Sequence, residues 1–331
     1  MIKVGMLSFW HVHAGDYAKL ANEHPDTEIA AIWDEDPVRG RREAEARQVP
    51  FYETLDELLR SADIEGVIVD TPTDAHRDVM IQAAKAGKHI FTEKVLAPTL
   101  KEANEIVEAV NHANVALTVS LPRMYDGYTL AIQKVLEQGL LGELTQVRVR
   151  MAHNGAIANW LPEHFYKLEE THGGAMIDLG CHPMYLTRLF LGAPEAVSAQ
   201  YGYVTGREVE DNAITLLRYA NGAIGVVETG FVTPNSPFTI EIHGTAGSLM
   251  YGFQDANKLH VSSTKLEGNG ALEIEIDESA PNAFTQWVNS IQTGEKTEEN
   301  ITMAIELTKL MEASNRSAAE QRAVKLSELQ A

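Results

Sequence analysis

Apolar and polar positions along the chain fall into two regimes. Through the first 120 residues, short unbroken apolar runs at 2–7, 28–33, 66–69, 89–91 and 115–119 alternate with amphipathic stretches near 12–23, 37–47, 74–86 and 99–112. A strand buried on both faces must be apolar along its length, and helical connections between such strands make them parallel. The pattern predicts a doubly wound α/β sheet, which binds ligands beyond the carboxyl ends of its strands. Later the pattern changes. Stretches at 143–152, 195–204, 212–219, 223–231, 237–243, 247–251, 258–263 and 271–276 mostly alternate apolar and polar residues, the mark of an antiparallel sheet with one face covered and one open. Ala220-Asn221-Gly222-Ala223 reads as a hairpin turn, and helices close the chain at 281–292 and 299–318.

At 331 residues the chain exceeds what a single core fills, which is near ~250 to 300 residues, so two domains are expected, at 1–122 and 123–331. Hydrophobic residues at 44% and charged residues at 22% are ordinary globular proportions. The formal charge of −20 argues against a nucleic acid or an anionic membrane surface as partner. No signal-like leader and no apolar run of about 18 residues is present, and one cysteine, Cys181, excludes an internal disulfide. A soluble, cytoplasmic protein is expected.

The stretch Gly173-Gly174-Ala175-Met176-Ile177-Asp178-Leu179-Gly180-Cys181-His182 carries the chemistry most directly. Read as one helix, it places Asp178 and His182 on the same face one turn apart, an acid beside a base, while the two glycines let a ligand or another backbone come close. The strand ends of the first half supply the rest. After the first strand a G-x-G-x-x-G turn is usual, but Ser8, Trp10 and His13 stand at the glycine positions, so either the loop is rebuilt and a phosphate there meets Ser8, Phe9, Trp10 and the amides before His11 at a helix N-terminus, or the site no longer takes a dinucleotide. His11 and His13 lack a third ligand nearby and line a cleft rather than bind a metal. After the second strand Asp34 can accept from the ribose hydroxyls of NAD, with Asp36 as helix cap ahead of Pro37. Arg39, Arg41 and Arg42 close behind leave NADP open. After the third strand Pro72 ends the run and Thr73 or Asp74 caps the next helix. After the fourth, Glu93-Lys94 sets opposite charges against a buried strand, and a lysine beside a cationic nicotinamide would have its pKa lowered and exchange a proton with an alcohol. His153, Asn154 and Trp160, followed by His164 and Tyr166, have the composition of a carbohydrate pocket.

Thr71-Pro72 with His76, Ala86-Gly87-Lys88-His89 leading into Glu93-Lys94, Gly139-Leu140-Leu141-Gly142-Glu143, Gly173 to His182 and Gly244-Thr245-Ala246-Gly247-Ser248 together resemble, in order and spacing, the motifs of the Gfo/Idh/MocA oxidoreductases. The resemblance covers essentially the whole chain. It implies an N-terminal Rossmann domain and a C-terminal α+β domain with a large, mostly antiparallel open sheet whose free face often pairs with another subunit. It implies NAD contacts from Thr71, Pro72, His76, Glu93, Lys94 and Arg123. It also implies a homo-oligomer, a dimer or tetramer, acting on a sugar, cyclitol or related polyol. The sequence departs from the family at the glycine-free first turn, at Val95 where a proline usually follows the E-K pair, and at Tyr185 where many members carry an aspartate.

The mechanism expected has His182 as general base for a ring hydroxyl, Asp178 orienting the imidazole and Lys94 polarising the oxygen, with the roles of Lys94 and His182 exchangeable. Three rivals are a relative that oxidises a sugar transiently to break a glycosidic bond, a sugar- or nucleotide-binding regulator without catalysis, and a metal enzyme using His11 and His13.

Overall fold

The computed structural model describes residues 1–60, 63–276 and 278–329 and forms two compact units. One comprises Met1–Ser120 with Pro281–Thr308; the other comprises Leu121–Ala280 with residues 309–329. The first cut falls between Ser120 and Leu121, and neither unit is one continuous segment. The chain returns to the first unit near its end.

In the first unit β1 (Ile2–Leu7), α1 (Ala14–Glu23), β2 (Thr27–Trp33), α2 (Pro37–Arg47), α3 (Leu55–Leu59), β3 (Gly66–Val69), α4 (His76–Lys85), β4 (His89–Thr92), α5 (Leu100–Ala113) and β5 (Leu117–Val119) follow in order. The strands pair in parallel as β2-β1-β3-β4-β5. Val4, Met6, Leu7, Val67, Ile68, Val69 and Ile90 are fully buried, as strands covered on both faces require. Asp36 caps α2 through its side chain ahead of Pro37, as predicted. Neither Thr73 nor Asp74 caps α4. A 3-10 turn over Thr73–Ala75 leads into it, and its N-cap, Ala75, has no side-chain oxygen to offer.

The returning segment explains the discontinuity. α10 (Ala283–Thr293) buries Phe284 and Trp287 against Phe91, with ring centroids 5.4 and 6.0 Å away. Gly66 accommodates this: a Cβ there would lie 2.8 Å from the Trp287 ring. Asn300, near the start of α11 (Glu298–Glu320), clamps β5, its Oδ1 accepting from Val119 N–H at 2.8 Å and its Nδ2 donating to Val119 C=O at 2.9 Å. Two apolar aromatics and one bidentate amide hold this segment where helical periodicity alone gives no address.

The second unit holds α6 (Gly127–Glu137), β6 (Leu144–Ala152), α7 (Leu168–Thr171), α8 (Ala175–Asp178), α9 (Cys181–Leu191), β7 (Ala196–Gly202), β8 (Asn212–Arg218), β9 (Ile224–Gly230), β10 (Thr239–Gly244), β11 (Gly247–Tyr251), β12 (Lys258–Ser263), β13 (Ala271–Glu275) and β14 (Val324–Lys325). Nine strands pair as β13-β12-β11-β10-β6-β9-β8-β7-β14, antiparallel except for β6 with β9. Alternation decides the faces. Ala213, Leu217, Val227, Val147, Val149, Ile240, Ile242, Leu249 and Leu259 point into the core, and Ile214, Leu216, Ile224 and Met250 are exposed. Among the described residues no helix is long and apolar enough to cross a membrane.

Candidate active site

In the first unit the polar residues singled out in the sequence gather at the carboxyl ends of β1, β2, β3 and β4. Ser8 takes the left-handed conformation, φ 78°, that a glycine would adopt in the usual turn. Its hydroxyl offsets this strain by accepting from Trp10 N–H at 3.0 Å and donating to Glu35 at 2.9 Å. Phe9 N–H is taken by Asp34 Oδ2 at 2.9 Å. Side-chain acceptors thus hold the tight turn that glycines make elsewhere.

Asp34 is accordingly committed. Its Oδ2 also accepts from Arg39 Nε at 2.9 Å, and its Oδ1 accepts from Asp36 N–H at 2.8 Å and Arg39 Nη2 at 2.6 Å. Four donors fill the lone pairs of a side chain with no exposure. Glu35, about a third exposed, shares Arg39 at 2.6 Å. Burial, with Asp34 alongside, raises its carboxyl above the usual range. Burial works against the Arg39 charge, but the two carboxylates hold its pKa above the ordinary value.

At β4, Glu93 and Lys94 are buried, Lys94 Nζ lies 3.6 Å from Glu93 Oε1 and His11 Nε2 lies 3.7 Å from the same atom. Glu93 also accepts from the Tyr17 hydroxyl, which reaches Ser120 Oγ at 2.7 Å. Burial pushes the Glu93 carboxyl up, but His11 and Lys94 more than offset this and leave it below its ordinary value. Tyr17 is driven well up by burial and by Glu93. His76 sits behind the loops: its Nδ1 meets Val95 C=O at 2.9 Å and its Nε2 meets Thr71 C=O at 3.2 Å, tying the β3 exit to the β4 exit. Its burial lowers the imidazole pKa.

Asp70 was not predicted to have a role. It is fully buried at the end of β3, its carboxyl is pushed well up by burial and then by Glu93, and among the described residues neither oxygen has a partner. The adjacent Thr71 hydroxyl is also buried and, among the described residues, unpartnered. Buried polar atoms normally find partners, so a dinucleotide bringing donors and acceptors to this sheet edge fits the residues present. The signal for Asp70 was an acid directly after an apolar strand, the same signal that marks Glu93. Among the described residues no group of three or more His, Cys, Asp or Glu is arranged to hold a metal, and His13 pairs with Asp16 at 3.1 Å.

In the second unit the Gly173–His182 stretch is not one regular helix. α8 ends at Asp178 and α9 starts at Cys181; between them Gly180 N–H reaches five residues back to Ala175 C=O at 2.8 Å, a widened turn of the kind frequent at functional sites. Asp178 and His182 therefore stand on either side of this turn. The glycines answer to backbone. A Cβ on Gly174 would lie 2.0 Å from Glu210 C=O, which accepts from Ala175 N–H at 2.8 Å. The Glu210 carboxylate, buried to 3% exposure, accepts from Gly174 N–H at 2.8 Å and Met176 N–H at 2.9 Å. Burial raises it to about 7 against the pull of these bonds.

His182 is buried, and its Nδ1 meets the Tyr185 hydroxyl at 3.0 Å. Arg123 donates its main-chain N–H to the same hydroxyl at 3.0 Å and lays its guanidinium over Phe238, 5.0 Å from the ring centre. The predicted pocket loop is divided. His153 stacks on Phe231 at 4.9 Å and meets Trp160 at 4.6 Å, and Trp160 is 54% exposed. His164 packs on Phe165, whereas Tyr166 is buried with Arg207 over its ring at 3.7 Å, so that face is closed to a sugar. Burial lowers the His153 pKa, with Asp178 opposing.

Family comparisons agree with this division of labour. The model for an oxidoreductase family with an NAD-binding Rossmann fold matches residues 5–121, and that for the GFO/IDH/MocA C-terminal domain matches 129–250. The chain is similar to 1,5-anhydro-D-fructose reductase of Ensifer adhaerens, 31% identical over 60% of each protein, so this match spans three fifths of that relative. It is 28% identical to scyllo-inositol 2-dehydrogenase (NAD(+)) of Bacillus subtilis over 76% of this chain and 72% of that one. The fold is shared with levoglucosan dehydrogenase in complex with NADH, at a TM-score of 0.81, 21% identity and coverage of 98% and 99%. A five-stranded parallel unit with its polar residues at the strand ends, joined in one chain to a nine-stranded open sheet, makes this protein a member of the NAD-binding Gfo/Idh/MocA oxidoreductase family.

Proposed function

We propose that the chain is a dehydrogenase acting on a ring hydroxyl of a sugar, cyclitol or related polyol. The observation that carries the reading is the buried His11–Glu93–Lys94 cluster at the carboxyl edge of the parallel sheet. An ammonium group is kept there at the cost of desolvation, offset by one shared carboxylate, and structural strand exits do not need it. The nicotinamide, when bound, accepts a hydride from the carbinol carbon. Ser8, Phe9, Trp10, Thr71 and the N-terminus of α1 hold the dinucleotide, and His11 and Glu93 set the charge around Lys94. The saturated Asp34 shapes the ribose site from behind, while the partly exposed Glu35 is the carboxylate left to accept from ribose hydroxyls. The excess negative charge of Asp34 and Glu35 over Arg39 disfavours the extra phosphate of NADP. In the second unit His182 and Asp178 serve the reacting hydroxyl, and Trp160 and His153 offer an aromatic face and a polar edge to the sugar ring. The exposed Ile214, Leu216, Ile224 and Met250 favour a homo-oligomer through the open sheet face, and the buried thiol of Cys181 suits the cytoplasm.

Lys94→Met should bind NAD within about threefold of the parent, followed through Trp10 fluorescence, and lose about 10²-fold or more in turnover with a polyol panel. Full activity in this variant would sink the reading. Sugar cleavage without net NADH would replace it with the transient-oxidation alternative.

A further inference from the structure

We propose that Tyr185 fixes the tautomer of His182, keeping the imidazole proton on Nε2, so that neutral His182 enters the reaction as a hydrogen-bond donor rather than as the base. The inference rests on the dehydrogenase reading only for its consequence; the tautomer follows from proton accounting. The Tyr185 hydroxyl has no exposure, and among the described residues it meets two groups, the Arg123 main-chain N–H and His182 Nδ1, both at 3.0 Å. A main-chain N–H only donates, so it occupies a lone pair on the phenolic oxygen. The hydroxyl's single proton then has one acceptor in reach, the bare Nδ1. Were the ring proton on Nδ1 instead, two N–H groups would converge on one oxygen and the phenolic proton would be buried without a partner, an arrangement folded proteins avoid.

Geometry favours this arrangement at each end. Tyr185 follows His182 by three residues on α9, the spacing that sets side chains on one face, and the rings meet edge to face at 80°. Arg123 lies in a 3-10 turn, Pro122–Met124, whose first N–H groups need outside acceptors. Burial also holds the phenol well above its ordinary pKa, so the proton remains on Tyr185 to be donated.

With Nδ1 turned to Tyr185, any contact of the imidazole with substrate is made through Nε2. In oxidation His182 keeps its Nε2 proton and hydrogen-bonds the oxygen on which negative charge develops, while the carbinol carbon gives its hydride to the nicotinamide and the hydroxyl proton leaves to solvent. In reduction the proton returns from solvent.

The test is a long-range proton–nitrogen NMR correlation on full-length protein with ring-¹⁵N histidine, recorded with NAD at a pH where imidazoles are neutral. His182 signals are identified by their loss in His182→Gln. The expected spectrum shows His182 protonated at Nε2 and bare at Nδ1; protonation at Nδ1 overturns the proposal, and this needs no variant to fold. In Tyr185→Phe the ratio of tautomers should move about fivefold, and kcat should fall by a similar factor at unchanged KM for NAD. An unmoved ratio overturns the role of Tyr185, and a moved ratio with unchanged kcat removes the tautomer from the reaction. Failure of the dehydrogenase reading itself looks different: wild-type protein would turn over no polyol, whatever the spectrum shows.

Discussion

Replacing Glu210 by glutamine should invert its effect on stability between acid and alkaline pH. The carboxyl is 3% exposed and holds its proton up to about 7, against 4.5 for an unstrained glutamic acid. Between those values the native state binds more protons than the unfolded chain, so the stability tied to this group is full below pH 4.5 and is lost as pH rises through 7. The interval corresponds to about 3 kcal/mol. Glutamine removes that pH dependence but introduces a fixed defect: two main-chain donors, Gly174 and Met176, face one carbonyl oxygen and one NH2 group. A buried unsatisfied donor costs about 1 to 3 kcal/mol at every pH. The wild type should therefore be the more stable protein at pH 5, and the variant should equal or exceed it at pH 8.5. Thermal unfolding midpoints of both proteins across that range, with hydrogen exchange at the Gly174 and Met176 amides as the local readout, give the difference directly, because all shared titrations cancel. A difference that stays constant with pH, or that favours the wild type increasingly as pH rises, refutes the reasoning.

Other substitutions report on separate parts of the structure. Gly174→Ala forces a Cβ to within 2.0 Å of Glu210 C=O; we expect a loss of about 3 kcal/mol or more in unfolding free energy by urea titration, with turnover reduced because Asp178 and His182 follow on the same segment. Arg39→Gln leaves the unexposed Asp34 without its bidentate partner, which should cost about 3 kcal/mol and weaken NAD binding measured calorimetrically. Asp70→Asn puts a neutral isostere in place of a carboxyl whose pKa burial and Glu93 hold well above its ordinary value. Stability should stay within about 1 kcal/mol and NAD affinity within about threefold; a large loss would show that the acid works ionised.

The strands were legible because each sheet imposes its own periodicity, continuous for β1 and β3, alternating for β8. Spacing also singled out Glu93, Lys94 and His182 as candidates, since charges next to a buried strand or helix turn stand out against their neighbours. What escaped were relations over long separations. Tyr17 reaches Glu93 across 76 residues and Asn300 reaches Val119 across 181, and no local pattern encodes either. The first turn looked degraded because glycines were missing, yet Ser8 and Asp34 do by hydrogen bonding what glycine does by lacking a side chain. The same commitment of Asp34 to four donors is invisible in a motif, which records where an acid stands and not what already occupies it. The paired glycines at 173 and 174 suggested close approach correctly, but the visitor at Gly174 is a strand-flanking carbonyl.

The amide of Asn300 and the rings of Phe284 and Trp287 give the nucleotide-binding unit a timetable as well as a shape. These groups leave the ribosome long after β5 has been made, so the nascent parallel sheet waits with Phe91 uncovered and Val119 unclamped while β6 to β13 are synthesised. A fragment ending near residue 120 would stay in that unfinished condition, exposing an apolar surface to chaperones or to other copies of itself.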